Sequence, residues 1–235
     1  MLLQKFAQST FVIQNLRGFH LLIDPGKYDF EGNTTDAGKF GDVSILIITH
    51  KHEDHFHTES VKLIVERCNP TVFTNQEIST ILEKEGISSI AVKPGDEFEV
   101  NGFNLSFTRT DHVVRGQVVV NFGVVVESEG KRVYHASDTR YIEPTMLGNT
   151  KVLNPDVLCV PISNRGVVMG VDDALYFTSE IKPRIVIPIH YDSPKDSQRV
   201  RPEHFVQRFG EIKKYLDSLN HTEVVVLERG ESITI

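Results

Sequence analysis

The chain has 235 residues, of which 40% are hydrophobic, and its formal net charge at pH 7 is −7. That length and composition are sufficient for a sizeable core, and we expect residues 1–235 to form a single domain. The acidic balance argues against a broad basic face that binds nucleic acid nonspecifically, although it leaves room for a small basic pocket.

Cysteine usage and the N-terminal residues indicate the compartment. Cys68 and Cys159 are far apart in the sequence, and Cys159 lies within an apolar run, as is typical of reduced, buried thiols in an intracellular protein. Residues 1–6 are too few and too polar for a secretory signal, and no apolar stretch approaches the roughly 18 residues of a membrane span. We therefore expect a soluble, cytoplasmic protein.

In the first half of the chain, short strands come first and then alternate with helices. Residues 15–18 read Asn-Leu-Arg-Gly, which favours a hairpin turn, and residues 27–42 form a loop that leads to an apolar, β-branched run. Helices are indicated where apolar residues recur at helical spacing, as at Val61, Ile64 and Val65. The sequence predicts strands at 2–6, 10–14, 19–24, 43–49, 70–74 and 87–92, and helices at 60–68 and 77–85.

In the second half, turn dipeptides and apolar runs predict an antiparallel meander followed by further strand and helix units. A long amphipathic helix should follow Pro202, with Phe205, Phe209, Ile212 and either Tyr215 or Leu216 on one face. The predicted elements are strands at 97–100, 103–108, 118–127, 132–136, 157–161, 184–189, 223–227 and 232–235, a helical turn at 144–148 and a helix at 171–181. This order favours an α+β fold, a four-layer αββα sandwich of two mixed sheets with helices on both outer faces.

The segment Thr49-His50-Lys51-His52-Glu53-Asp54-His55 places three histidines and an aspartate at the end of an apolar strand. His50 and His52 are two residues apart, the period at which a strand repeats its face, so both imidazoles can point to one spot. Asp54 and His55 lie in the turn before the next helix and can reach a second ion beside the first. Zinc readily binds imidazole nitrogen and carboxylate oxygen. The segment therefore predicts the core of a two-metal hydrolytic site.

Three later segments each end an apolar strand with a residue of a metal-binding type, where sheet proteins commonly carry their chemistry. These residues are His112, Asp138 and His190, which follow the runs ending at Thr108, His135 and Ile189. Together with the first motif they make a complete set of ligands for two ions.

The chain resembles the metallo-β-lactamase superfamily over nearly its full length. Three segments look like the branch of metal-dependent hydrolases related to L-ascorbate-6-phosphate lactonase: Gln8-Ser9-Thr10-Phe11-Val12-Ile13, the sequence from Tyr134 to Thr139, and Ile187-Pro188-Ile189-His190-Tyr191. The chain departs from that branch at Gln8, where histidine is common, and at Ser137, where glycine is common.

The resemblance implies a role for each candidate ligand. His50, His52 and His112 would hold one ion, Asp54, His55 and His190 would hold the other, and Asp138 would bridge them. Zinc is the expected metal, with manganese as the alternative.

A centre of this kind predicts a metal-dependent hydrolase that uses a metal-bridging hydroxide on a small, anionic substrate, a lactone or a phosphoester. Asp54 is expected to orient the attacking hydroxide. Tyr191 is a further catalytic candidate that can donate a hydrogen bond to the substrate, and packing of the same ring at a strand end is an equal alternative.

Two other functions are compatible with the sequence. One is a nuclease or phosphodiesterase that acts on nucleic acid, which the acidic balance disfavours. The other is a non-catalytic metal or ligand sensor with the same fold, which would be distinguished by its lack of turnover. Specificity is expected to lie in loops 113–117, 163–170 and 192–201, and homo-oligomers are compatible with the sequence. The basic residues of these loops are Arg115, Arg165, Lys195 and Arg199.

Overall fold

A computed structural model of the chain describes residues 1–30, 36–193 and 200–235. Its strands in chain order are β1 Leu2–Lys5, β2 Phe11–Gln14, β3 His20–Ile23, β4 Val43–Ile48, β5 Thr71–Thr74, β6 Ile90–Ala91, β7 Glu97–Val100, β8 Phe103–Thr108, β9 Val113–Val114, β10 Gln117–Val118, β11 Gly123–Ser128, β12 Lys131–His135, β13 Val157–Pro161, β14 Ile185–Ile189, β15 Glu223–Val224 and β16 Ser232–Thr234. The α-helices are α1 Thr58–Cys68, α2 Gln76–Lys84, α3 Val171–Ile181 and α4 Pro202–Lys213. Short 3₁₀ turns lie at Lys27–Asp29, Ala37–Phe40, Pro144–Met146, Thr150–Val152 and Asp217–Leu219.

The described residues divide into two compact units. Unit 1 comprises Met1–Lys93, Glu99–Phe103 and Leu227–Ile235, and unit 2 comprises Pro94–Phe98 and Asn104–Val226.

Unit 1 is built on a seven-stranded mixed sheet in the order β16-β1-β2-β3-β4-β5-β6. The strands β16, β1, β2 and β3 pair antiparallel, and β3 through β6 pair parallel. Strand β4 is an interior strand, and Ile45 through Ile48 are fully buried, as expected for a strand covered on both faces. The apolar faces of α1 and α2 contribute Val61, Ile64, Ile78 and Leu82 to the same core cluster as Leu46 and Ile48. This packing fixes the C-terminal end of β4, from which the histidine motif continues.

Unit 2 is built on a second mixed sheet in the order β15-β14-β13-β12-β11-β8-β7. Strands β8, β11 and β12 pair antiparallel, and β12 through β15 pair parallel. Helices α3 and α4 bury Phe177, Phe205 and Phe209 in one apolar cluster with residues of β13 and β14. Ligand-bearing segments leave this sheet after β8, β12 and β14.

The α+β fold with two large mixed sheets is confirmed, and most predicted elements agree with the structure within two residues. The predicted strand 118–127 is wrong at its start, because β11 begins at Gly123 and residues 117–118 belong to a separate hairpin with residues 113–114. The predicted strand 87–92 is reduced to Ile90–Ala91. Cys159 is buried as predicted, whereas Cys68 is only half-buried. None of the helices in the described ranges has the length and hydropathy of a membrane span.

Asp29 is a buried carboxyl group of unit 1 with close polar contacts to Ala7 and Thr10. Its Oδ1 accepts from the Ala7 amide at 2.9 Å, and its Oδ2 lies 2.6 Å from the Thr10 hydroxyl. The same hydroxyl lies 2.6 Å from the carbonyl oxygen of Asp24. One hydroxyl proton cannot serve both acceptors at once, so below its pKa the protonated Asp29 can donate to Thr10 while Thr10 donates to Asp24, and above it the Thr10 hydroxyl is available to the carboxylate. Consistently, burial raises the pKa of Asp29 to about 6, against the lowering effects of Thr10, Ala7, Lys39 and Arg229.

We expect Asp29→Asn to remove a pH dependence of stability. The unfolded carboxyl group ionises near 3.8, so between about pH 4 and pH 6 the folded wild type retains a proton that the unfolded chain has released. Stability therefore falls as pH rises through this window, by roughly 2–3 kcal/mol. The asparagine amide can donate to Thr10 at every pH. In urea unfolding from pH 4 to pH 8, the free energy of unfolding of the variant minus that of the wild type should increase up to about pH 6 and stay constant above it. A constant difference across that range would contradict the assignment.

Candidate metal centre

In unit 1, His50 and His52 follow the C-terminal end of β4. His50 is fully buried, and its Nε2 lies 3.0 Å from Nδ1 of His52. Two nitrogens that bind one ion at about 2.0–2.1 Å can be no more than about 4.2 Å apart. The pair therefore satisfies the distance requirement for a shared ion.

A buried carboxylate fixes the protonation of His50 through Thr49. The Thr49 hydroxyl donates to Asp24 Oδ2 at 2.7 Å and lies 3.1 Å from His50 Nδ1. Because its proton is used for Asp24, this hydroxyl accepts from Nδ1–H of His50. The lone pair of His50 is then on Nε2, the nitrogen that faces His52.

Asp24 also contacts the second ligand pair directly. His55 Nδ1 lies 2.8 Å from Asp24 Oδ2, and both side chains are fully buried. A histidine that donates from one nitrogen to a carboxylate presents the other nitrogen as a ligand, which is the usual arrangement around metal-binding histidines. The Nε2 atom of His55 lies 3.8 Å from Asp54 Oδ2. This second pair also satisfies the distance limit for one ion.

Gln8 and Gly26 hold the segment that carries Asp54. The Gln8 amide nitrogen donates to Asp54 Oδ2 at 3.2 Å. A Cβ atom on Gly26 would lie 2.1 Å from the carbonyl carbon and oxygen of Asp54, so the close approach of the two backbones requires glycine. Gln8, the departure from the related branch, thus contacts a candidate ligand.

In unit 2, Asp138 lies between two histidines. Its Oδ2 is 3.8 Å from Nε2 of His112 and 3.2 Å from Nε2 of His190. Nδ1 of His112 lies 2.9 Å from the carbonyl oxygen of Val167. A carbonyl can only accept, so Nδ1 carries the proton and Nε2 carries the lone pair. The donor set of each unit therefore fits a divalent metal in residue type and spacing, and His50, His55 and His112 each present Nε2 as the free donor atom.

Backbone geometry explains how Ser137 substitutes for glycine beside Asp138. Ser137 has a φ of 56°, in the left-handed region that favours glycine. Its hydroxyl bonds to Asn121 Oδ1 at 3.0 Å, and the Asn121 amide donates to the carbonyl oxygen of Asp138 at 2.7 Å. These bonds offset part of the cost of the left-handed conformation, of order 1 kcal/mol or more. His190 has a φ of 65°, so a second candidate ligand of this unit also has a left-handed backbone.

The segments that carry His112 and Asp138 are also tied together by their neighbours. Arg140 donates its backbone N–H to the carbonyl oxygen of Asp111 at 2.8 Å, and its guanidinium forms an ion pair with the Asp111 carboxylate at 2.8 Å. The Thr139 hydroxyl accepts from the Asp111 amide at 2.9 Å. These contacts fix the spacing of two ligand-bearing loops of unit 2.

Within each unit, the structure brings together the residues that the sequence analysis selected as ligands. In unit 1 these are His50 with His52 and Asp54 with His55, and in unit 2 they are Asp138 with His112 and His190. Tyr191 is 5% exposed and packs in the apolar cluster of unit 2. Arg115 and Arg165 are exposed, whereas Lys195 and Arg199 lie outside the described residues.

The sequence analysis missed two supporting residues, Asp24 and Asn121. Asp24 was visible as an acidic residue at the end of an apolar strand, the same signal that selected His112, Asp138 and His190. Asn121 carried no comparable signal, because it lies inside an apolar stretch that resembles a continuous strand.

The family model described as the beta-lactamase superfamily domain matches residues 2–190. This match and the two mixed sheets define the class, the metallo-β-lactamase superfamily. A UPF0173 metal-dependent hydrolase of Methanosphaera stadtmanae is 30% identical over 82% of this chain and 85% of that protein. Another from Korarchaeum cryptofilum is 30% identical over 95% of both chains. The chain belongs to the UPF0173 metal-dependent hydrolase family of this superfamily.

Solved structures agree with this placement. Igni18, a metallo hydrolase from the archaeon Ignicoccus hospitalis, is 26% identical and superposes with a TM-score of 0.75, covering 99% of this chain and 97% of that chain. An isothiocyanate hydrolase from Delia radicum gut bacteria is 18% identical with a TM-score of 0.72 over 100% and 99% of the two chains. The second likeness shows the common fold.

Proposed function

We propose that the chain is a hydrolase that requires two divalent metal ions, with zinc preferred and manganese as the alternative. The observation that carries the proposal is the fixed protonation of three buried histidines. Nδ1 of His50, His55 and His112 is committed to Thr49, Asp24 and Val167 respectively, so each presents the lone pair of Nε2. A ring nitrogen held by an acceptor in this way leaves the other nitrogen to bind metal, and this is the usual arrangement around metal-binding histidines.

We further propose the division of ligands between two ions that the resemblance to the superfamily implies. In that assignment His50, His52 and His112 hold one ion, Asp54, His55 and His190 hold the second, and Asp138 is shared. The resemblance of the sequence to the superfamily and membership of the UPF0173 family support this division.

The proposed reaction is hydrolysis of a small anionic lactone or phosphoester. Divalent ions bound here would supply an ionised water near neutral pH and positive charge for the developing oxyanion. Asp54 orients the attacking water, and Gln8 holds the carboxylate in place from 3.2 Å. Two ions and two carboxylates leave a positive centre, which favours an anionic electrophile. A substrate similar to that of L-ascorbate-6-phosphate lactonase would satisfy both the reaction type and the preference for an anion.

Metal content and turnover measured on one preparation test the proposal. We expect about two ions per chain by elemental analysis, and hydrolysis of bis-p-nitrophenyl phosphate or of a lactone in a panel tested with and without added zinc or manganese. His55→Ala should lose one ion, whereas His204→Ala, an exposed histidine on α4, should keep both. Absence of stoichiometric metal after reconstitution would refute the ligand assignment. Two ions without turnover on any substrate would favour the sensor function.

A further inference from the structure

A two-stranded hairpin of unit 2 stands apart from both large sheets among the described strands. It consists of β9 and β10, in which Val113 pairs with Val118 and Val114 pairs with Gln117. The turn residues Arg115 and Gly116 both have positive φ, 51° and 77°. Two successive positive φ values define a type I′ turn, whose twist matches that of the paired strands. The hairpin is therefore a tightly connected ribbon.

The hairpin is anchored at a candidate metal ligand. Val113 directly follows His112, and the Val119 amide donates to the carbonyl oxygen of His112 at 2.9 Å after the ribbon has returned. Both ends of the ribbon thus meet at His112, whose ring is held by Val167. Consecutive Cα atoms are about 3.8 Å apart, and paired residues of antiparallel strands are about 4.5–5.5 Å apart. Val118 is therefore within roughly 10 Å of the backbone of this ligand.

One face of the ribbon is apolar and exposed. Val118 is 80% exposed and Val120 is 54% exposed, and Val113 is half-buried. Directly paired residues of two strands project from the same face, so Val113 and Val118 form a single apolar surface. At this exposure Val118 contributes little to the packing of the folded chain, so the protein core does not explain the choice of valine.

We infer that the face formed by Val113 and Val118 binds an alkyl or aryl group of the substrate that is not itself cleaved. This inference rests on the proposed function, because His112 is assigned there as a ligand. A substrate whose reacting atom reaches an ion at His112 lies close to the residues next in sequence and to their strand partner. The ribbon is then a determinant of specificity that selects substrates carrying an apolar group beside the scissile bond.

A homologous series of γ-alkyl lactones, from methyl to hexyl, tests the inference by kinetics. For the zinc-loaded wild type we expect kcat/KM to rise roughly threefold per added methylene. Val118→Ser should nearly abolish this rise through a higher KM, and it should leave the methyl compound almost unchanged. Val206→Ser, a matched change at a valine on α4 that is 42% exposed, should retain the wild-type rise. An unchanged rise in Val118→Ser, or an equal loss for all lactones, would refute the inference.

A binding measurement separates this inference from the proposed function. With zinc-loaded protein labelled at valine methyl groups, hexanoate should shift the Val113 and Val118 resonances, acetate should not, and Val118→Ser should lose the response. Methyl shifts with no turnover of any lactone or phosphoester would support the ribbon as a binding face and refute the hydrolase proposal. Turnover without these methyl shifts would support the hydrolase proposal and refute the ribbon as a binding face. A lower sedimentation coefficient of Val118→Ser than of wild type would also overturn the inference, because it would identify the face as a contact between copies of the chain.

Discussion

We expect Asp54→Ala to lower kcat by about 10²–10⁴-fold while the protein stays folded. Asp54 is assigned both as a ligand and as the group that orients water, so its removal both weakens metal binding and leaves the attacking water unoriented. Its side chain is 17% exposed, and removing it creates no large apolar cavity. The measurements are kcat with saturating zinc, metal content, and thermal unfolding of the same samples.

The adjacent Glu53 provides the matched control for this prediction. Its side chain is 50% exposed and forms an ion pair with Lys27 at 3.4 Å. Surface ion pairs contribute little to stability, so Glu53→Ala should retain activity and melt close to wild type. Wild-type turnover of every accepted substrate by Asp54→Ala would refute the assigned mechanism.

The second large effect is expected at Asp24. Its carboxylate is fully buried and accepts from the Thr49 amide at 2.7 Å, from the Thr49 hydroxyl at 2.7 Å and from His55 Nδ1 at 2.8 Å. In Asp24→Asn an amide nitrogen must face at least one of these donors. We expect a loss of about 2–4 kcal/mol in the free energy of unfolding and a roughly 10–100-fold weaker zinc affinity.

Denaturant unfolding and a competitive zinc titration measure these two quantities separately. Asp42→Asn is the matched control, since the Asp42 side chain is 98% exposed. The ring nitrogens of His55, followed by ¹⁵N NMR on metal-free protein, give a readout that loss of stability alone does not change. Asp24→Asn should alter the proton distribution between Nδ1 and Nε2. Unaltered zinc affinity and His55 signals in the folded variant would show that Asp24 serves stability alone.

Local sequence signals predicted the elements whose formation depends on near neighbours. The β-branched run that ends at Ile48 became the buried strand β4, and the apolar spacing of residues 171–181 became helix α3 with the same bounds. The start of the predicted strand at 118 was wrong, because Val118 and Val119 follow the strand pattern but bond to Val113 and His112 respectively. An alternating or apolar run specifies a strand, but the partner of that strand depends on residues elsewhere in the chain.

By itself, the sequence selected the candidate ligand residues of this protein, because each carries a metal-binding group and lies within a few residues of the end of an apolar strand. The tertiary structure alone decided which nitrogen His50, His55 and His112 present. That choice depends on acceptors distant in sequence: Asp24 lies 31 residues from His55, and Val167 lies 55 residues from His112. A histidine has two chemically similar nitrogens, and only a bond formed by folding makes one of them the donor and the other the ligand.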